Sequence, residues 1–342
     1  MNYGGIKRRP GRSGEIDSMK NSYWKDKRVL ITGYEGFLGS NLTKALLGFK
    51  ARVWGLDIET RRHDTILKDD FGKMKIIRGS VEDYNLLLRI IKTNKIEIIF
   101  HLAATSLVGE ALKKPFQSFS TNIRGTWNIL EAARNSKSVK TIIVASSDKA
   151  YGIQKKLPYR ENSPLIGVHP YDVSKSCADL IAYTYFHTYG LPVSVTRCGN
   201  IFGPGDFNFS RIVPDAIRSI VFNKKLLIRS DGKFIRDYIY VDDIVSGYLK
   251  IAESMKKKKL AGEAFNFSNE FPISVLQLVK MIYKACGRSP NYRILNQARY
   301  EIKEQYLCAG KARRILGWEP KYSLDKGLKL TLDWYKEYLK TK

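Results

Sequence analysis

Cysteine is scarce in this chain and poorly placed for structural work. Its four thiols, Cys177, Cys198, Cys286 and Cys308, are scattered over 342 residues with no C-x-x-C pair and no histidine cluster nearby. That arrangement excludes a zinc ribbon or a disulfide framework and suits a reducing, cytoplasmic setting with no metal. Long apolar runs are also missing. No uninterrupted stretch approaches the roughly 20 residues of a membrane-spanning helix, so the chain reads as soluble and without a membrane partner. The first two dozen residues are rich in Gly, Arg, Lys and Ser and lack an apolar h-region, which argues against a secretory signal and for a flexible basic leader over 1–25. Acidic side chains are in the minority, 33 against 59 basic ones, for a net charge of +26. Such an excess suits an anionic ligand or nucleic acid. It is spread widely, however, and the one dense run, Lys256 to Lys259, reads as a solvated helix end or loop. Nucleic-acid binding would call for a concentrated basic face with interleaved aromatics.

What is present is an alternation. Apolar segments of strand length at 28–32, 52–56, 74–78, 96–101, 140–145 and 193–196 are separated by segments of helical period. This is the pattern of a parallel sheet covered on both faces, a doubly wound Rossmann-type α/β fold. Beyond Asn200 the order loosens into a Gly/Pro turn at Gly203-Pro204-Gly205, a helix over 212–222 and a short strand over 226–229. The segment 236–253 reads as a strand followed by a helix, with Asp242 or Asp243 suited to the helix N-terminus. A strand at 264–267, a helix at 275–285 and a last helix with Leu324, Leu328, Leu332 and Tyr335 on one stripe follow. The expected division gives 26–200 with about 235–262 to a nucleotide-binding domain. It gives 201–234 with about 263–342 to a smaller, discontinuous substrate lobe.

Gly33-Tyr34-Glu35-Gly36-Phe37-Leu38-Gly39 follows the first strand and opens a helix, so its glycines can form the turn, admit a pyrophosphate and pack closely. Asp57 ends the second strand, where a carboxylate accepts both ribose hydroxyls and repels a 2′-phosphate. That favours NAD over NADP, although Arg61 and Arg62 lie close in sequence. Tyr171 and Lys175 stand one helical turn apart on one face, where the ammonium can lower the phenol pKa and let it take a proton from a sugar hydroxyl. The same spacing recurs at Tyr23/Lys27 and Tyr322/Lys326, so the pair is distinguished by its setting after the fifth strand. Ser146-Ser147-Asp148-Lys149 lies past the carboxyl end of that strand, the sheet edge at which such folds bind ligands.

These motifs together resemble the extended short-chain dehydrogenase/reductase superfamily of nucleotide-sugar enzymes, over nearly all of 26–340. The match is carried by Gly33-x-x-Gly36-x-x-Gly39, His101-Leu102-Ala103-Ala104, Asn122, Tyr171-x-x-x-Lys175, Arg197-x-Gly199-Asn200, the run from Arg236 to Asp243, and Leu316-Gly317-Trp318. Ser147-Asp148-Lys149 with Tyr151, and Gly205-Asp206 with Arg211-x-x-Pro214-Asp215, look most like the CDP-glucose 4,6-dehydratases within the nucleotide-sugar 4,6-dehydratase group. The resemblance implies cofactor contacts from Gly33, Gly36, Phe37, Leu38, Gly39, Asp57, Ser80, Val81, Leu102, Ala103 and Ala104, joined by Tyr171 and Lys175. Many relatives carry Asp where this chain has Ser80, which can hydrogen-bond but bears no charge.

The implied reaction oxidises C4 of a nucleoside-diphosphate hexose with NAD, Tyr171 taking the C4 proton with help from Ser147. Lys149 then removes the C5 hydrogen, Asp148 protonates the departing C6 hydroxyl, and the hydride returns to C6. Arg211 and Arg236 are natural diphosphate partners, since guanidinium groups hold phosphate oxygens in pairs, with Asn122 and Asn200 as further substrate contacts. The rival reading is a 4-epimerase, which needs no base at C5 and whose residues at the Asp148 and Lys149 positions are usually small or apolar. Superfamily members of this kind pair as homodimers through the helix after Asn122 and the helix carrying Tyr171.

Overall fold

The structure is a computed structural model that describes residues 21–298 and 300–340. Residues 1–20 of the expected leader lie outside the described residues. Its last residues are not leader at all: Asn21–Trp24 form a short helix, α1, and Trp24 is fully buried. The Trp24 indole donates to Glu253 at 2.6 Å, so an aromatic anchor, and not a further stretch of leader, stands at the edge of the basic segment.

The alternation of the first two hundred residues produces what it predicts. β1 (Arg28–Thr32), α2 (Phe37–Gly48), β2 (Arg52–Asp57), β3 (Lys75–Arg78), α3 (Tyr84–Thr93) and β4 (Ile98–His101) come first. Next are α4 (Val108–Lys113), α5 (Pro115–Phe119), α6 (Gly125–Arg134), β5 (Thr141–Ala145), α7 (Pro170–Tyr189) and β6 (Val193–Cys198). Side chains alternate across the sheet, as strand geometry requires. Val29 and Ile31 of β1 enter one core with Leu42 and Leu46 of α2, while Leu30 enters the other with residues of α3, α6 and α7.

The second part of the chain supplies β7 (Asn200–Phe202), α8 (Ile212–Val221), β8 (Leu226–Ile228), β9 (Ile235–Tyr240) and α9 (Val241–Ser254). It closes with β10 (Ala264–Phe267), β11 (Pro272–Ser274), α10 (Val275–Ala285), β12 (Tyr292–Ile294) and α11 (Leu324–Lys340). The stripe Leu324, Leu328, Leu332 and Tyr335 of α11 is buried against α8 and α10 in a third core.

The main sheet runs β10-β6-β5-β4-β1-β2-β3, and every pairing in it is parallel. β1 lies between β2 and β4, so the winding reverses beside it and leaves a crevice at the carboxyl ends of β1 and β4. Two smaller sheets, β11-β9-β7 and β12-β8, belong to the second lobe.

Two expectations need correction. The division gave 264–267 to the smaller lobe and about 235–262 to the nucleotide-binding domain, whereas β10 pairs with β6 as the outermost strand of the main sheet, Ala264 opposite Val195, and β9 pairs with β7 and β11 in a sheet of the second lobe. Four apolar-rich residues form a strand in either sheet, and local pattern does not say which. Nor do Asp242 and Asp243 cap α9. Tyr240 occupies the N-cap position without a side-chain bond, and the Asp243 carboxylate instead accepts from the backbone N–H groups of Lys321 (2.7 Å) and Tyr322 (3.2 Å). Among the described residues no helix is long and apolar enough to cross a membrane.

Candidate active site

The glycine loop sits where β1 delivers it. Gly33 adopts φ +72°, a left-handed conformation open to glycine at little cost. A Cβ there would lie 2.8 Å from the Ala103 nitrogen, and one on Gly39 would lie 2.0 Å from the Gly33 carbonyl. The loop is thus packed hard against Leu102 and Ala103 at the end of β4. Gly36 is the N-cap of α2 and no side chain caps that helix, so its first N–H groups are left for an anion, with Phe37, Leu38 and Gly39 forming the first turn.

Asp57 closes β2 with its side chain buried. Its carboxylate accepts from the N–H of Glu35 (3.3 Å) and of Glu59 (3.4 Å) and faces the Arg62 guanidinium at 3.4 Å. Burial raises its pKa, and Arg62 pulls the other way. Arg62 is therefore the counter-ion of Asp57. Glu35 is a feature the motif alone did not single out, although an acid between two loop glycines was there to be noticed. Its buried carboxylate accepts from the N–H groups of Arg61 and Arg62 (2.8 Å for the latter) and from the Tyr34 hydroxyl (2.7 Å). It ties the loop after β2 to the glycine loop and adds a second carboxylate beside Asp57. An uncapped helix end, a glycine cradle and a carboxylate at the end of β2 together fit the pyrophosphate and adenosine of a dinucleotide.

On the far side of the crevice, Ser80 accepts the Glu82 N–H at 3.1 Å to form a tight turn, and Val81 is buried against Gly125. His101 organises the space between β1 and α6. Burial, with Lys175 nearby, drives its pKa down to about 3, so the imidazole is neutral. Hydrogen counting fixes its tautomer. Thr126 donates to the Asn122 carbonyl (2.6 Å), so His101 Nε2 donates to Thr126 (3.3 Å) while Nδ1 accepts from Thr32 (2.8 Å).

Ser147, Asp148 and Lys149 lie together past the end of β5. Ser147 caps the start of the short helical turn after β5, and its Oγ donates to Asp148 Oδ1 at 3.0 Å and accepts the Lys149 N–H at 3.2 Å. Lys149 Nζ stands 3.6 Å from the same oxygen of Asp148. The other oxygen, Oδ2, accepts from the Nε2 amide of Gln305, a fully buried residue of the late loop before Leu307. Nothing local in the sequence marks Gln305. It reaches the site because the adjoining Leu307 bridges Tyr159 and Glu304 bridges Ile235.

Tyr171 and Lys175 share a face of α7, but their coupling differs from the expected one. The Lys175 ammonium donates to the Ala145 carbonyl at 2.8 Å and lies 6.0 Å from the Tyr171 ring centre. Burial lowers its pKa to about 8. Burial likewise raises the pKa of Tyr171. The downward pull comes from its hydrogen bond to Ser147 and from Arg211, opposed by Asp148 and Asp172. Asp172, the next residue, is pushed up to about 6 by burial, against the pull of Lys149 and His169.

The four expected substrate contacts divide. Arg211 keeps its side chain partly exposed, pairs with Asp206 at 2.9 Å and lies 5.9 Å over the Phe37 ring, between the glycine loop and the second lobe. Arg236 is buried and donates to the carbonyls of Ile235 (2.9 Å) and Lys303 (3.1 Å), with Glu301 at 3.5 Å. Asn200 bonds the Tyr238 hydroxyl. Asn122 gives both amide hydrogens to protein partners, the Thr105 carbonyl (3.1 Å) and Ser174 (2.8 Å), and accepts the Thr105 N–H at 2.8 Å. It joins the loop after β4 to α7, so its amide positions the site rather than presenting donors to a sugar.

Comparison with known proteins agrees with this geometry. Residues 30–331 match the family model described as GDP-mannose 4,6 dehydratase. The chain is similar to a CDP-glucose 4,6-dehydratase of Salmonella typhimurium, 30% identical over 93% of each chain. It is also similar to a UDP-glucuronate 4-epimerase of Thermodesulfobacterium geofontis, 31% identical over 90% of this chain and 96% of the other. Among solved structures, a dTDP-glucose 4,6-dehydratase of Streptomyces venezuelae with NAD bound superposes with a TM-score of 0.83 at 28% identity, covering 91% of this chain and 97% of that one. With its parallel seven-stranded sheet, glycine cradle and Tyr171/Lys175 pair, the chain belongs to the GDP-mannose 4,6 dehydratase family, the NAD-dependent nucleotide-sugar dehydratases and epimerases of the extended short-chain dehydrogenase/reductase superfamily.

Proposed function

We propose that the chain is a nucleotide-sugar 4,6-dehydratase acting on a nucleoside-diphosphate hexose, CDP-glucose by preference, and releasing water and a 4-keto-6-deoxy sugar. The observation that carries this reading is the pairing of Asp148 with Lys149, 3.6 Å apart at the end of β5 and linked through Ser147 to Tyr171. Gly33, Gly36, Gly39 and Asp57 would hold the dinucleotide, which when bound would supply the acceptor for the C4 hydride and its donor to C6.

The chain's own residues handle the protons. Tyr171, bonded to Ser147, accepts the proton of the C4 hydroxyl as the ketone forms. The ketone acidifies the C5 hydrogen, which Lys149 removes while Asp148 protonates the C6 oxygen as it leaves. An ammonium beside a carboxylate becomes an amine beside a carboxylic acid by moving one proton, so the observed ion pair and the required base and acid are two forms of the same pair. Arg211, between Phe37 and the second lobe, is placed to meet the diphosphate.

An epimerase would use Tyr171 and Ser147 in the same way and leave Asp148 and Lys149 without a task. Incubating the protein with CDP-, dTDP-, GDP- and UDP-glucose and following the product by mass separates the two. Loss of one water is the expected result, and an isomer of unchanged mass overturns the dehydratase reading.

A homodimer is part of this proposal. α5, α6 and α7 present large apolar side chains to solvent, Phe116 at 85% exposure, Trp127 at 44%, Leu180 at 52% and Tyr183 at 55%. Pairing two such faces would form a four-helix contact from α6 and α7 of each copy. Light scattering is expected to give twice the chain mass at micromolar concentration, and a monomeric mass with activity retained removes the claim. The four cysteines are all free, which supports a cytoplasmic setting.

A further inference from the structure

The proposed reaction leaves a proton in the wrong place. Following it through one turnover shows where. The hydride removed at C4 comes back at C6, and for the proton that Lys149 takes from C5 it later gives one back to C5, exchanged with solvent in between, so in number both cancel. Two changes do not cancel. Tyr171 ends holding the proton of the C4 hydroxyl, and Asp148 ends without the proton it gave to the C6 oxygen, which has left as water. Before a second turnover, one proton must travel from Tyr171 to Asp148.

The structure contains a path for it. The Ser147 hydroxyl has one hydrogen, and that hydrogen points to Asp148 Oδ1 at 3.0 Å. With that hydrogen committed, the phenol is the donor in its bond to Ser147 while it is protonated, and Ser147 becomes the donor once Tyr171 is a phenolate, the form that this bond favours. The chain reads Tyr171 O–H to Ser147 Oγ–H to Asp148 Oδ1, and once Lys149 has given its proton back to C5 and stands as an amine, this is the arrangement left at the end of a turnover. If Ser147 hands its hydrogen to Asp148 and takes that of Tyr171, the result is a phenolate, a hydroxyl and a carboxylic acid, the set needed at the start. No atom is gained or lost. All three groups are buried, with relative exposures of 8% for Tyr171, 9% for Ser147 and 2% for Asp148, so solvent has little access to replace the missing proton directly.

We infer that Ser147 is the bridge of a proton wire that resets the site by returning the C4 proton from Tyr171 to Asp148 within the protein. This rests on the dehydratase reading above. Gln305 gives the wire its end point. Its Nε2–H already occupies Oδ2 of Asp148, so the arriving proton goes to Oδ1, the oxygen that also faces Lys149 at 3.6 Å. The Gln305 carbonyl oxygen, buried and without a partner among the described residues, makes no competing claim on that oxygen. Gln305 is thus a positioning residue.

The test measures steady-state water loss from whichever of CDP-, dTDP-, GDP- and UDP-glucose the wild type dehydrates, at fixed pH and ionic strength over rising imidazole concentration. The wild type is expected to be indifferent to imidazole, because its proton never leaves the protein. Ser147→Ala is expected to fall about 100-fold, in the range of one lost proton-transfer group, and to recover progressively as imidazole supplies the proton instead. Ser147→Thr, which keeps the hydroxyl, is expected to stay near wild type and flat. Ser147→Cys, close in volume but a weak donor, repeats the alanine test should that variant fold poorly. Gln305→Leu is expected to lose about 10-fold with no change in KM and no response to imidazole. A Ser147→Ala enzyme that keeps the wild-type rate, or slows yet stays flat in imidazole, overturns the wire, since Ser147 would then only orient Tyr171. A wild type that releases water from none of the four sugars removes the dehydratase reading itself, and with it the turnover that needs resetting.

Discussion

Tyr171→Phe is expected to stop both C4 oxidation and water loss, whereas Lys149→Ala and Asp148→Asn are expected to spare the first and stop the second. The division follows from position. Tyr171 projects from α7 and bonds Ser147, which places it to serve the C4 proton in the proposed reaction. Asp148 and Lys149 project from the turn after β5 and, in the proposed reaction, serve the C6 oxygen and the C5 hydrogen. Each acid or base contributes roughly 100-fold to 10,000-fold, so these are losses of orders of magnitude. Deuterium uptake at C5 from solvent reads the base directly. Lys149→Ala should abolish it, and uptake with water release at the wild-type rate in that variant would show that Lys149 is not the base.

Arg197→Ala is expected to cost about 3 to 5 kcal/mol of folding stability, the usual penalty for leaving one member of a buried ion pair alone. Arg197 and Asp179 are both nearly inaccessible, and the guanidinium makes two parallel bonds to the carboxylate, 2.7 Å from Nε and 2.8 Å from Nη2. Its third nitrogen donates to the Tyr151 hydroxyl at 2.8 Å and the Glu161 carbonyl at 3.0 Å. The arginine thereby joins β6, α7 and the loop after β5, and α7 is the helix that aims Tyr171 and Lys175. Urea titration should show a lower midpoint with an unchanged slope. Replacing both partners, Arg197→Met with Asp179→Leu, should regain most of the loss, because no buried charge is then left unpaired. If the single variant unfolds at the wild-type midpoint, the pair is not holding these elements together.

The parts of the fold and site that were legible share a short range. The strands of the first half announce themselves by apolar runs, and the glycine loop by its place between β1 and α2. Ser147, Asp148, Lys149, Tyr171 and Lys175 lie at the ends of elements that periodicity locates. The parts that were not legible depend on partners distant in sequence. Four residues at 264–267 form a strand, but only its neighbour decides that β10 extends the main sheet. Asp243 looks like a helix cap because capping is a local habit of Asp, yet its partners are the N–H groups of Lys321 and Tyr322. Gln305 is an ordinary loop glutamine until the second lobe carries it to Asp148. The lowering of the Tyr171 pKa expected from Lys175 failed for another reason. Spacing says which side chains share a face, and burial and competing acceptors such as the Ala145 carbonyl decide what each one does.

The place of β10 at the margin of the main sheet also bears on how the protein is made. A ribosome releases β6 well before β10, and Ala264 must arrive before Val195 has its outer neighbour. Until then β6, every residue of which is buried in the finished molecule, offers an unpaired strand margin to whatever strand it meets. Nascent chains halted between these two strands should therefore be the species most prone to aggregate and most in need of a chaperone, and release of the segment that closes the sheet should end that exposure.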